Sequence, residues 1–226
     1  MWYSVDVRNL RYAELWRIAP GAGFLVAAVL KTLRVPLKMD AGVTMVEALT
    51  RPDRVAVDGE ILEALDREEA SFHRAGFRRL FYYTVPLRGA GQRACAAALL
   101  SSDGLTLGQT LFAEKRTPQR TVRRVQSNCL SRMGDGGFLG VSSGRRRMDP
   151  PPEFHGENLP GRSPEALYAR HRERLSAYDR ARPVALRESE VERFIVEIEN
   201  RVVRFHANRG VYVPQEDSTG TAITPS

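Results

Sequence analysis

The sequence predicts an α+β fold, a five-stranded antiparallel meander with helices before and after it, packed mainly on one face. Three observations carry that expectation. The hydrophobic period switches from helical to alternating at Phe77, five alternating runs then follow one another across short turns, and helical stripes return after a proline-rich break.

Taken in order, residues 8–19 (RNLRYAELWRIA) read as a short helix stopped by Pro20 and Gly21, and residues 22–34 as a second helix ended by Pro36. The most apolar run of the chain, GAGFLVAAVL at 21–30, lies between Arg17 and Lys31. It is well short of the roughly 20 residues that a spanning helix needs. It reads as a buried helix or, with KTLRVPLK beside it, as a membrane-surface anchor over residues 21–38. Residues 36–57 are irregular and read as a loop with room for one short element.

Asp58 is placed to cap a helix whose apolar positions Ile61, Leu62, Leu65, Phe72 and Ala75 recur at helical spacing, and Gly76 stands where a left-handed residue ends it. The alternating runs are 77–87, 92–102, 105–116, 120–133 and 138–146, separated by RGAG, DG, TP and GDGG. Turns this short pair each strand with the next. In the first run Phe77, Arg79, Phe81, Tyr83 and Val85 fall on one face. The stretch GFRRLFYYTV resembles the aromatic strand motif of RNA-recognition domains, but no βαββαβ order surrounds it, and nothing of that family is carried over. Cys95 and Cys129 are separated by a whole strand, too far apart for a disulfide, and are expected as free thiols.

The prolines of DPPPEFHGENLPG cannot donate to a ladder, so this stretch reads as an exit linker. Ser163 and Pro164 then open a helix carrying Leu167, Tyr168, His171, Leu175 and Tyr178. A last helix over about 187–208 shows the stripe Val191, Phe194, Ile195, Ile198, Val202 and Phe205. The resulting organisation is an N-terminal helical and irregular segment (1–57), a helix plus antiparallel sheet (58–148), a linker (149–162), two helices packing on the sheet (163–210) and a disordered tail (211–226).

Charge is distributed unevenly. Of the 34 basic residues only Lys31, Lys38 and Lys115 are lysine, a bias that fits a bacterial-like, GC-rich coding sequence. Residues 77–147 hold 13 basic and 3 acidic side chains, while the segments on either side are close to neutral. That asymmetry points to an anionic partner. Arg120, Arg123, Arg124, Arg132, Arg145, Arg146 and Arg147 are the candidate anion-binding residues; in a regular strand Arg120, Arg124 and Arg132 share one face and Arg123 takes the other.

The familiar chemical motifs are missing from the sequence. The four histidines, His73, His155, His171 and His206, include no pair at i,i+4, and no HExxH or CxxC occurs, so no metal is expected. GAG at 21–23 is followed by Val26 and preceded by no strand, which rejects a dinucleotide fingerprint. There is no GK[ST] and no GxSxG. No cofactor and no catalytic residue is assigned. Arg8, Arg11 and Glu14 interrupt the start, so no secretory leader is read, and two cysteines without a framework suit a reducing, cytoplasmic setting. The expected function is a non-catalytic intracellular binding or accessory domain that meets an anionic partner (nucleic acid, an acidic membrane surface or an acidic protein) through a basic sheet surface. The alternatives are a peripheral membrane protein anchored by residues 21–38 and an enzyme whose site would form where the linker histidine meets the strand ends.

Overall fold

The structure, a computed structural model, describes residues 1–86 and 91–215, the side chains of residues 40–42 excepted. In chain order its elements are β1 (Trp2–Asp6), α1 (Tyr12–Ile18), α2 (Ala22–Thr32), β2 (Lys38–Thr44), α3 (Gly59–Arg74), β3 (Phe77–Thr84), β4 (Gln92–Ser101), β5 (Leu107–Arg116), β6 (Thr121–Met133), β7 (Phe138–Ser142), β8 (Phe154–Asn158), α4 (Pro164–Ala177), β9 (Pro183–Val184), α5 (Glu188–Asn208) and β10 (Tyr212–Pro214). Helices and sheet are thus mixed in the α+β manner. The chain divides into two compact units, residues 1–45 with the chain from Val203 onward, and residues 46–202.

The first unit is built on a small antiparallel sheet with β1 between β10 and β2. The stretch 36–57, expected as an irregular loop with room for one short element, contributes β2, and the tail expected to be disordered contributes β10; residues 216–226 of that tail lie outside the described residues. Glu14 is buried and receives Arg209 through two hydrogen bonds of 2.9 and 2.8 Å, while its Oε2 also accepts the Arg11 N–H at the start of α1. A charge taken out of water needs partners of this quality, and Arg209 joins the end of the described chain to its beginning.

The second unit holds a seven-stranded sheet in the order β3-β4-β5-β6-β7-β8, with β9 pairing β6 at Arg132 and Met133. Its first five strands are the expected antiparallel meander, but the sheet is larger than five strands. Residues 149–162, expected to be linker, contain β8, which pairs parallel to β7 from Phe138↔Phe154 to Ser142↔Asn158. The prolines end before it: Glu153 is the first residue after them with an N–H, and the N–H of Phe154, where β8 begins, reaches the Pro151 carbonyl at 2.9 Å. The fifth run stops at Ser142 rather than 146. Residue 87, the expected end of the first run, and residues 88–90 of the RGAG turn lie outside the described residues.

Helices cover both faces of the sheet, not one. Phe72, Leu65, Ile61 and Leu167 of α3 and α4 pack with Phe77, Tyr82, Cys95, Ala97, Leu99, Phe112 and Cys129. On the opposite face Val191, Phe194, Ile195 and Ile198 of α5 pack with Tyr83, Ala96, Ala98, Leu100, Leu107 and Phe138. Alternation along β4 sends its odd residues to one cluster and its even residues to the other, the signature of a strand buried on both sides.

A bulge at Leu80, between the pairs Arg79↔Leu99 and Phe81↔Ala98, changes which side the later residues of β3 face. Phe77 and Tyr82 therefore share the α3 side while Phe81 and Tyr83 face α5, which corrects the single aromatic face read from the sequence. Gly108 sits under the aromatic pair Phe72 and Phe77, where a Cβ would meet ring carbons at 3.0–3.1 Å. Cys95 and Cys129 are buried free thiols on β4 and β6, with β5 between them. Burial pushes the Cys95 thiol up to about 11.

The α3 boundaries follow from their caps. Asp58 accepts the Glu60 N–H at 3.0 Å, and Gly76 takes φ 87° one residue past the C-cap. Ile198 ties α5 to the sheet, so Ile198→Ala should cost about 2–5 kcal/mol through the cavity it leaves. Its chemical-denaturation midpoint should fall clearly below that of the wild type; an unchanged midpoint would detach α5 from the core.

Candidate interaction surfaces

Cross-strand register brings Arg93, Glu114 and Arg123 side by side on β4, β5 and β6, on the face that α3 covers. Glu114 is buried, and its two oxygens accept Arg93 Nε at 2.8 Å, Arg116 Nε at 2.6 Å and Arg123 Nε at 2.6 Å. The start of α3 completes the cluster. Asp58 accepts Arg93 at 2.7 Å, and Glu60 accepts Arg93 at 3.2 Å and Arg123 at 2.7 Å. Three guanidinium groups thus meet three carboxylates. The Arg93 hydrogen bond, followed by those of Arg123 and Arg116, holds the Glu114 carboxyl down at about 2 against the opposing effect of burial.

The seven candidate arginines therefore divide. Arg123 belongs to the Glu114 cluster. Arg132, on the opposite face of β6, pairs with Glu197 of α5 at 2.9 Å and lies 4.8 Å over the Phe194 ring. Arg146 donates to the Gly156 carbonyl of β8 at 2.7 Å. Arg120, Arg124, Arg145 and Arg147 are exposed and form no ion pair among the described residues. The same holds for Lys115, which motif reasoning passed over because it is a single lysine at a strand end. Elsewhere in the segment Arg78 pairs with Glu188 and Arg79 with Glu69 at 2.9 Å. Much of the excess read along the sequence is thus cancelled in space by acids from α3 and α5.

Three other places bear on chemistry. His171 of α4 is fully buried with its Nε2 2.8 Å from Ser131 Oγ, and that hydroxyl donates to the Leu105 carbonyl at 2.6 Å. The imidazole must then donate from Nε2, which leaves Nδ1 as an acceptor without a partner among the described residues. Burial, then Arg174, pushes this imidazole down to about 4. Because the Ser131 proton goes to a carbonyl and both groups are shut from solvent, the pair is packing, not a nucleophile and its base. A groove of about 630 Å³ is lined by Gly76–Arg78, Leu100–Gly104 and Ala185–Glu188. Its Arg78 and Glu188 hold each other, and Asp103 is occupied by Ser101 Oγ at 2.6 Å and the Leu105 N–H at 3.0 Å. His155, where the enzyme alternative placed its site, has its ring tilted by 48° against Tyr178, with centroids 5.4 Å apart. Among the described residues no group of three His, Cys, Asp or Glu side chains could hold a metal ion.

The second surface belongs to the first unit. Residues 21–30, read as a buried helix, supply most of α2, yet no residue of α2 is buried. Ala22, Leu25, Val26, Val29 and the C-cap Leu33 lie at helical spacing, as a core-facing stripe would, and all are exposed, Leu25 by 64%, Val29 by 56% and Leu33 by 68%. Trp16 of α1, 53% exposed, meets Phe24 edge-on at 5.2 Å. Tyr12, also exposed, shares a hydrogen bond of 3.0 Å with Thr32. Lys31 holds α2 from its other side, donating to the Arg8 carbonyl with its ammonium 5.4 Å from the Tyr12 ring centroid. Residues 15–39 contain four cations, Arg17, Lys31, Arg34 and Lys38, and no acid. The helix ends with the Val35 N–H on the Leu30 carbonyl (2.9 Å) and the Arg34 N–H on the Lys31 carbonyl (3.0 Å), with Arg34 at φ 55° where glycine is usual. No helix among the described residues is long and apolar enough to cross a membrane. Comparison with family models, curated proteins and solved structures finds no match to this chain.

The lowered Glu114 carboxyl makes a signed prediction. Held at about 2 against its ordinary 4.5, it contributes stability that is full above 4.5 and is lost as pH falls towards 2. The melting-temperature gap between wild type and Glu114→Gln should be constant near neutral pH and close through that acid window. A gap that does not change with acidity would show that the cluster does not depend on the Glu114 charge.

Proposed function

We propose that this chain is a non-catalytic binding or accessory protein that attaches peripherally to an anionic membrane surface, with α1 and α2 as the attaching element. The observation that carries the reading is the apolar stripe of α2, turned to solvent where a core-facing stripe would be buried. A monomer rarely leaves such a contiguous apolar face in water. An interfacial helix does so by function. Its apolar face enters the headgroup boundary, its cations stay with the anionic headgroups, and tryptophan and tyrosine sit between the two. Leu25, Val26, Val29 and Leu33 supply the first, Arg17, Arg34 and Lys38 the second, and Trp16 with Tyr12 the third. At about 16 Å long, a helix of this size lies on a bilayer rather than through it.

Flotation with vesicles tests the reading. The full chain should float with phosphatidylcholine vesicles that contain phosphatidylglycerol and much less with phosphatidylcholine alone. Leu25→Glu with Val29→Glu should abolish flotation without lowering thermal stability, because neither side chain packs in a core. Arg34→Gly should separate the two readouts. Relief of the left-handed backbone should leave the fold as stable or up to about 1 kcal/mol more so, while the lost cation weakens attachment. Equal flotation of wild type and the double glutamate variant would remove α2 from the contact, and no flotation of wild type would assign the face to a protein partner.

A further inference from the structure

On the face of the sheet that α5 packs against, the apolar cluster ends at Leu111 of β5 and Leu130 of β6. Beyond it, towards the β5–β6 turn, the same face carries cations. Lys115 stands opposite Val122 and Arg124 opposite Ala113, so the two are diagonal neighbours on adjacent strands. Arg120 sits in the turn itself, which Thr117 and Arg120 close with backbone hydrogen bonds of 2.9 and 3.2 Å. The chain leaving β7 stays beside β6: the Ser143 N–H reaches the Ser127 carbonyl at 2.9 Å, and a Cβ on Gly144 would stand 2.3 Å from the Gln126 side chain. Arg145 and Arg147 follow directly, and Gln126 is two residues from Arg124. Residues 115–134 contain six cations and no acid.

The other face of the sheet is arranged differently. There, Arg93, Arg116 and Arg123 share Glu114, Asp58 and Glu60. Here Lys115 and Arg124 share the face, Arg120 stands in the turn and Arg145 and Arg147 follow Gly144, and all five are exposed without an ion pair among the described residues. Like charges on neighbouring strands oppose folding, and an anion placed among them removes that cost.

We propose that this end of the sheet binds the phosphate backbone of nucleic acid without sequence preference. The cations span three neighbouring chain segments, about 10 Å across at roughly 4.8 Å per strand, which exceeds one phosphate and suits several in succession. Four of the five are arginine, whose fork matches phosphate oxygens. No aromatic side chain lies among residues 113–134, so base stacking has no platform there and the backbone is what remains to be held. This site is independent of α2.

The test is fluorescence anisotropy of a labelled DNA duplex of arbitrary sequence, titrated with the full chain at several salt concentrations. Wild-type affinity should fall steeply between about 50 and about 200 mM salt. A variant with Lys115, Arg120, Arg124, Arg145 and Arg147 all changed to Ser should bind at least about ten-fold more weakly at low salt, with a salt slope smaller by roughly 3 to 4. Thermal unfolding checks that the variant is folded, and changing the four arginines to Lys, which keeps the charge, should retain most of the affinity. Identical affinity and slope for wild type and the Ser variant would overturn the proposal. So would a wild type that ignores DNA but loses binding to phosphatidylglycerol vesicles on the same substitutions, since the cations would then serve lipid headgroups.

Discussion

Strand β4 has no side that can face water. From Cys95 to Leu100 its residues are buried on both faces, and three of them, Ala96, Ala97 and Ala98, are alanines that fill little space themselves. Apolar mass therefore has to approach from above and below. Phe72 and Leu65 of α3 bring it from one side, and Phe194 and Ile195 of α5 from the other. The three-layer build of the second unit follows from this strand, as do the bulge that redistributes the β3 aromatics between the layers and the glycine at 108 that lets two phenylalanine rings close over β5.

Once helices cover both faces, the arginines of the sheet need partners beneath them. The acids of α3 and α5 supply these, and Glu114, buried among three guanidinium groups, is the point where the sheet and the start of α3 lock together. Charge summed along a segment counts neighbours in sequence, whereas folding pairs Glu60 with Arg123 and Glu197 with Arg132, each more than 60 residues away. Among the described residues of the sheet region, what survives that pairing is confined to the end of β5 and β6 and the chain that follows β7. The surface with the least structural reason to be where it is, the stripe of α2, owes nothing to charge.

The parts legible in the sequence were those set by local physics. Asp58 and Gly76 bounded α3, Ser163 and Pro164 opened α4, and the alternation of β3 to β7 placed all five of their starts to within about two residues. Contacts between distant segments were not legible. β1 pairs with β10 across the whole described chain, Ser4↔Val213, and β8 adds to β7 in parallel after a run of prolines that argued for a linker. One extra residue at Leu80 undid a face read by strict alternation. In α2 the difficulty was of another kind. A helix apolar on nearly every side reads the same whether it is buried or displayed, and only the arrangement of its neighbours decides. Of the candidate arginines, sequence could group Arg124 and Arg132 on one face of β6 but could not see Glu197 waiting for Arg132 and, among the described residues, no acid waiting for Arg124.

If α1 and α2 enter the interface of an anionic bilayer as proposed, Trp16 is placed to report it. With Trp2 changed to Phe, Trp16 is the one tryptophan left in the chain. Its emission can be followed as vesicles of phosphatidylglycerol and phosphatidylcholine with brominated acyl chains are added. Entry of its exposed indole into the headgroup boundary should shift the emission to the blue and quench it, with no such change on brominated phosphatidylcholine alone. Emission that stays at its aqueous position and intensity in the anionic vesicles would contradict the account.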